Sequence, residues 1–208
     1  MSGKRSRLEV GAEKPFLTML YFSDEYRSII NERDKSFYDN RKDLLDSFSF
    51  VIKKYTGDDY WYLNDFLREG KVQKFSKSEL KSWTYCLHSS LKYGNSNVKN
   101  GTIVYKGVKL PAPKDWKVGK RFYFPEFVST SLNFEIAKNF AKRNDNTYGP
   151  ILVIKIKNNG INGRMYYCRS VEEITQFHGE NEVLITAFCI FQITRIDGNT
   201  YYLDCEGY

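Results

Sequence analysis

The stretch FHGENEVLI, residues 177–185, sets two glutamates one residue apart at the mouth of an apolar run. If a strand begins at or just before Glu182, residues two apart project to the same side, so Glu180 and Glu182 face one site while Asn181 points away. Two carboxylates held that close repel each other, and the repulsion acts to raise the pKa of one of them. A solvated pair at a strand entrance is the common form of such a doublet, so the pair alone does not mark a site. Two further stretches shift the balance. In FVSTSL, residues 127–132, Ser129 and Ser131 share a strand face, and a helix follows directly. Hydroxyls there can bond a carboxylate and hold its rotamer, and a helix N-terminus nearby favours a negative ligand. In VYKGV, residues 104–108, a strand lysine precedes a glycine, which lets a ligand approach the backbone closely.

These residues need elements to carry them, and the periodicity supplies two kinds. Up to about residue 100 the pattern is helical. Leu44, Leu45, Phe48, Val51, Ile52 and Tyr55 form one stripe, with Gly57 as a stop. Leu63, Phe66 and Leu67 repeat the pattern on a shorter helix ending near Gly70. Ser76 and Glu79 have capping-box spacing before Leu80, Trp83, Leu87 and Leu91. An earlier helix is expected from Ser23, with Tyr26, Ile29 and Ile30 inward. These aromatic stripes read as core.

After Asn100 the chain becomes rich in β-branched and aromatic residues, in TIVYKGV (102–108), RFYFPEFV (121–128), ILVIKIK (150–156) and EVLITAFCIFQITRI (182–196). NNG at 158–160 and DGN at 197–199 are turn signals, the second closing a hairpin onto TYYLD. One helix interrupts the strands, capped by Asn133 with Ile136, Ala137, Phe140 and Ala141 on one face. Tyr166 and Tyr167 read as sheet packing. The expectation is a single α+β domain over 1–208, with 1–100 mainly helical and 101–208 a mostly antiparallel two-sheet β assembly.

Composition adds bounds. Of 208 residues 41% are hydrophobic and 16% aromatic, enough for one full core. The net charge of +7 comes from scattered lysines, which is a positively charged surface more than a nucleic-acid patch. No apolar run is long enough to span a bilayer. The N-terminus, MSGKRSRLEV, is basic without an apolar signal region and reads as a frayed arm. Cys86, Cys168, Cys189 and Cys205 form no CxxC pair, and with His88 and His178 as the two histidines there is no zinc spacing, so no metal is expected. The cysteines read as reduced, mostly buried thiols.

In order and spacing, a basic strand residue plus glycine, then Ser-Thr-Ser, then Glu-x-Glu leading into VLI resembles the R-S-E class of mono-ADP-ribosyltransferases. The arginine-specific members include vertebrate ecto-enzymes and several bacterial toxins. The likeness covers roughly residues 100–196. It implies a reaction that breaks the nicotinamide–ribose bond of NAD and passes ADP-ribose to an arginine of a protein. By resemblance, Glu182 meets the oxocarbenium-like transition state and Ser129 steadies it. Glu180 orients the acceptor and takes its proton. Lys106, Gly107, Ser129, Thr130, Ser131, Phe134 and Glu182 would hold NAD, with Gly107 at the nicotinamide amide and Phe134 on its ring. CRSVEEITQFHG, residues 168–179, becomes the loop facing the target protein, with Phe177 as an aromatic contact and Glu172 and Glu173 as a solvated pair.

The family's first motif carries arginine where this chain has Lys106. Lysine keeps the charge and loses the planar fork, and no neighbouring arginine restores the register. Two alternatives follow: an NAD glycohydrolase with water as acceptor, and a weakly NAD-binding interaction module. The expected partners are NAD and a protein substrate, without nucleic acid or membrane anchor, the chain acting as a monomer. The expected setting is cytoplasmic or delivered into a host cell.

Overall fold

The computed structural model describes residues 41–93, 98–157 and 167–207. The basic arm, the helix expected from Ser23, the turn at 158–160 and Tyr166 lie outside the described residues, as do the side chains of Leu44, Leu45 and Phe48. Three helices come first: α1 (Arg41–Thr56), α2 (Tyr60–Glu69) and α3 (Lys77–Tyr93). Their ends follow the signals in the sequence. Gly70 closes α2 in the left-handed conformation at φ 69°, its N–H bonding the carbonyl of Phe66. At the start of α3 the Glu79 carboxylate accepts from Ser76 N at 2.8 Å, while Glu79 N donates to Ser76 Oγ at 3.3 Å, a complete capping box.

The helical stripes pack as expected. Ile52 and Tyr55 of α1, Leu63 and Phe66 of α2 and Leu80 and Leu87 of α3 form one buried cluster. Phe127, Val171, Leu184 and Ala187 of the β region complete it, so the helices pack on the face of β6 that carries Leu184 and, two residues earlier, Glu182. Tyr55 extends across this contact and donates to the Phe127 carbonyl at 3.0 Å.

The β region comprises β1 (Ile103–Gly107), β2 (Arg121–Tyr123), β3 (Val128–Ser131), β4 (Ile151–Ile156), β5 (Cys168–Ser170), β6 (Glu182–Ile185), β7 (Ile190–Asp197) and β8 (Thr200–Gly207), with helix α4 (Phe134–Ala141) between β3 and β4. The strand order is β2-β7-β8-β4-β1-β3-β6-β5. The β4–β8 pair is parallel and the others are antiparallel. This is the α+β arrangement that the sequence predicts. The two expected sheets are a five-strand and a three-strand group, and they join into one hydrogen-bonded order. The join is a single register pair, Tyr105↔Ser131.

Two apolar runs that look continuous are broken. RFYFPEFV divides around Phe124–Phe127 into β2 and the approach to β3. The run from Glu182 to Ile196 divides at Phe188, which takes φ 61° and donates its N–H to the Phe124 carbonyl at 2.8 Å. The two breaks therefore bond each other. The DGN hairpin forms as expected, with Asp197 paired to Thr200 across Gly198 and Asn199. Cys168, Cys189 and Cys205 are buried free thiols, Cys86 is half-buried, and Tyr167 packs in the same core.

Candidate active site

Strands β3 and β6 build the centre of the site. Their register sets Ser131 opposite Glu182, Thr130 opposite Val183 and Ser129 opposite Leu184. Ser129 therefore lies diagonally across from Glu182, and its hydroxyl donates to Glu182 Oε1 at 2.5 Å, a short charge-assisted bond. The other carboxylate oxygen, Oε2, accepts from Thr175 Oγ1 at 3.3 Å. Two hydroxyls from separate segments thus clamp one carboxylate that is only 4% exposed. The remaining hydroxyls of the Ser-Thr-Ser motif bond backbone. Thr130 donates to the Val183 carbonyl at 2.6 Å and Ser131 to the Glu180 carbonyl at 2.5 Å, while Ser131 Oγ accepts from Asn133 N at 2.9 Å. The motif is a tie between two strands, and one of its three side chains reaches a carboxylate.

Glu180 reaches the site by a different route from the one its spacing suggests. Strand β6 starts at Glu182, so strand alternation cannot aim Glu180. Instead Gly179 at φ 93° and Asn181 at φ 48° flank it in the left-handed region and turn the chain. Asn tolerates this conformation better than most residues. Glu180 and Glu182 both line one cleft as a result. Of the expected solvated pair, Glu173 is exposed while Glu172 is half-buried and engaged: its carboxylate accepts from Gly179 N at 2.5 Å and from Glu182 N at 3.2 Å. The first three residues of the stretch 168–179, expected as a loop, form β5.

Other expected residues divide. Lys106, Gly107, Ser129, Thr130 and Ser131 line the cleft together with both glutamates. Phe134 and Phe177 are not among the residues lining it. Phe134 opens α4, 39% exposed, with its ring edge-on to Tyr105 at 5.5 Å. Phe177 stands outward on the loop before β6, 37% exposed. Gly107 has a packing reason for its missing side chain. A Cβ there would fall 1.8 Å from the Ala137 carbonyl oxygen and 2.6 Å from Ala141 N, so the glycine lets α4 lie against β1.

Lys106 Nζ donates to the Ser129 carbonyl at 3.2 Å, which links the first motif to the second. Burial pushes the ammonium below the ordinary lysine value, against the pull of Glu126, and Arg68 adds to the lowering while Glu182 opposes it. The three sequence motifs contain neither Arg68 nor Glu126. Arg68, on α2, donates to Glu126 Oε1 at 3.4 Å and to Asp65 Oδ1 at 2.5 Å. Burial raises the Glu126 carboxyl, with Arg68 and then Lys106 opposing. Glu126 Oε2 and Arg68 Nε are buried without a hydrogen-bond partner, and both residues line the cleft. A guanidinium thus enters from the helical half, where the strand register offers none. A signal for it existed: Tyr60, Asn64 and Arg68 recur every four residues and lie along one face of α2. Read for its apolar stripe alone, that helix is core.

Chemically, a clamped carboxylate suits a transition state with growing positive charge. A second carboxylate beside it suits a proton-losing nucleophile. Lys106 and Arg68 supply positive charge for phosphate. Among the described residues no group of three or more His, Cys, Asp or Glu is placed to hold a metal ion.

The family model described as ADP-ribosyltransferase exoenzyme matches residues 33–203. No curated protein sequence matches the chain. The fold matches that of the ADP-ribosyltransferase Vis from Vibrio splendidus, solved in complex with agmatine, with a TM-score of 0.60 and 20% identity over 100% of this chain and 88% of that one. It also matches exoenzyme S from Pseudomonas aeruginosa, solved with human 14-3-3 protein beta and carba-NAD, with a TM-score of 0.60 and 16% identity over 91% of this chain and 89% of the other. A third match is a point mutant of the eucaryotic mono-ADP-ribosyltransferase ART2.2 in complex with NADH, with a TM-score of 0.60 and 22% identity over 90% and 77% of the two chains.

Proposed function

The chain belongs to the ADP-ribosyltransferase exoenzyme family, and from that premise we propose that it transfers ADP-ribose from NAD to an arginine side chain of a target protein. NAD is the co-substrate and nicotinamide the leaving product. In this reading the bond from ribose C1′ to the nicotinamide nitrogen breaks and its electron pair leaves with the neutral nicotinamide. The ribose becomes oxocarbenium-like, and the buried Glu182 carboxylate meets the charge where it grows. Ser129 and Thr175 hold that carboxylate in one rotamer, so little reorganisation is needed as the charge develops. A guanidine nitrogen of the acceptor then bonds C1′ and loses its proton to Glu180. Guanidinium has a pKa above about 12 and is a poor nucleophile without such a base. Lys106 and Arg68 hold the diphosphate, Arg68 giving the planar fork that lysine lacks. The helical and β subregions act as one unit, since Arg68 comes from the first and Lys106 from the second.

The observation that carries this reading is the 2.5 Å bond from Ser129 to Glu182, with Glu180 in the same cleft. Two supports bear on the acceptor. A glutamate stands two residues before Glu182, as in the arginine-modifying members of the R-S-E class that the sequence resembles. Vis, of like fold, was solved with agmatine, a guanidine. The test is incubation with NAD labelled in the ADP-ribose moiety and with polyarginine, measuring nicotinamide release and label on the polymer side by side. Both should occur, and Glu182→Gln should lower both by about 100-fold or more, by comparison with other preorganised electrostatic groups. Near-normal turnover in Glu182→Gln refutes the site. Nicotinamide release without labelled polymer makes the protein a hydrolase toward this acceptor.

A further inference from the structure

The four residues Gly179–Glu182 carry both carboxylates of the site, and they are held at both ends by one side chain. Gly179 and Asn181 have φ of 93° and 48°, so the turn departs from the extended path on either side of Glu180. Strand β5 stops at Ser170, opposite Val183, one pair short of Glu182. Past that point Glu172 takes over. Its Oε1 accepts from Gly179 N at 2.5 Å and its Oε2 from Glu182 N at 3.2 Å. Its backbone carbonyl lies 3.1 Å from His178 Nδ1. The ladder continues beside it through Val171 N to the Glu182 carbonyl at 3.0 Å. A carboxylate that accepts two backbone N–H groups at the ends of a turn fixes the spacing of those ends.

We propose that Glu172 is a positioning residue that sets the geometry of Glu180 toward the acceptor. The proposal rests on the reading of Glu180 as the acceptor-side base. Glu182 has independent holds, the Ser129 and Thr175 hydroxyls and its pairing with Ser131. Glu180 lies outside the strand, in the turn that Glu172 spans. Its backbone carbonyl is tied by Ser131 and that of Asn181 by Leu132 N at 3.0 Å, which fixes two peptide planes and leaves the turn's N–H ends to Glu172. Loss of the Glu172 carboxylate should therefore loosen Glu180 more than Glu182. In terms of the reaction, transfer to arginine should fall while cleavage of NAD largely persists.

The experiment compares the parent with Glu172→Ala and Glu172→Gln by two measurements. The first is amide hydrogen exchange of the segment 176–184, read against the rest of the chain. The second is the ratio of labelled polyarginine to nicotinamide released in the absence of acceptor. In Glu172→Ala, exchange should quicken in that segment alone, and the ratio should drop by roughly tenfold, the equivalent of losing one charge-assisted hydrogen bond. Glu172→Gln keeps one acceptor oxygen and loses the other, so it should fall between the parent and Glu172→Ala. Unchanged exchange in Glu172→Ala overturns the clamp. Faster exchange with an unchanged ratio overturns the positioning role, as does equal loss of both activities in both variants. A parent that cleaves NAD but labels no arginine sinks the arginine reading and with it this assignment to Glu180. The exchange measurement then decides the clamp by itself.

Discussion

Removing one of the two hydroxyls that hold Glu182 tests how much of the chemistry depends on a fixed carboxylate. Ser129→Ala deletes a bond of 2.5 Å and leaves the Thr175 bond of 3.3 Å in place. A hydrogen bond to a charged group contributes about 1.5–3 kcal/mol. The Ser129 side chain opens toward the cleft, so water can take over part of its role, and about 1.5–2 kcal/mol is the better share. At 1.36 kcal/mol per factor of ten this is roughly a 10- to 30-fold loss in nicotinamide release. The longer Thr175 bond lies past the usual O–H···O range, and Thr175→Val should lose about 0.5–1 kcal/mol, or roughly two- to fivefold. Because both hydroxyls hold the same carboxylate, the double variant should lose more than the product of the two single losses. The assay is nicotinamide release at saturating NAD, with thermal unfolding as the control. In a chain of this size a 1 kcal/mol loss of stability moves Tm by about 2–4 °C, so a small Tm change beside a large rate change assigns the effect to the site. Ser129→Ala within twofold of the parent refutes the clamp, and so does a Thr175→Val variant slower than Ser129→Ala.

Glu180→Gln should keep NAD cleavage and abolish transfer, seen by measuring nicotinamide and labelled polyarginine together; equal loss of both refutes an acceptor-side role. Lys106, held below the ordinary lysine value by burial although Glu126 opposes the shift, carries its charge below its folded pKa and loses it above. NAD affinity by calorimetry should therefore weaken as pH rises through the alkaline range, and Lys106→Arg should flatten that dependence because guanidinium stays protonated; a Lys106→Arg profile that follows the parent's excludes Lys106 as the titrating group. Gly107→Ala places a Cβ 1.8 Å from backbone of α4, an overpacking cost of about 3 kcal/mol that should lower Tm by roughly 6–12 °C. An unchanged Tm with weaker NAD binding would return Gly107 to a ligand role.

Linear spacing determined what local forces control. The stripe through Leu63, Phe66 and Leu67, the capping box at Ser76 and Glu79, and the turn at Gly198 and Asn199 each depend on residues within a few positions of one another, so the sequence alone placed them. Ser129 and Glu182 were also legible, because each sits in a distinctive short motif and the resemblance to a known class joins motifs that are far apart in the chain. Tertiary structure decided what those motifs touch. Arg68 and Glu126 lie 58 residues apart, and neither segment says that they meet, since pairing across elements depends on how α2 packs over the approach to β3. The reason for Gly107 lies in helix α4, more than a strand's length further along, so its missing side chain reads as room for a ligand until the helix is seen against it. Glu180 shows the limit most directly. Its spacing from Glu182 fits strand alternation, yet a left-handed turn aims it, and the N–H groups at the ends of that turn bond to Glu172 rather than to a neighbouring strand. Periodicity reports which way a regular segment faces; at an irregular turn the facing is set by the partners its backbone finds.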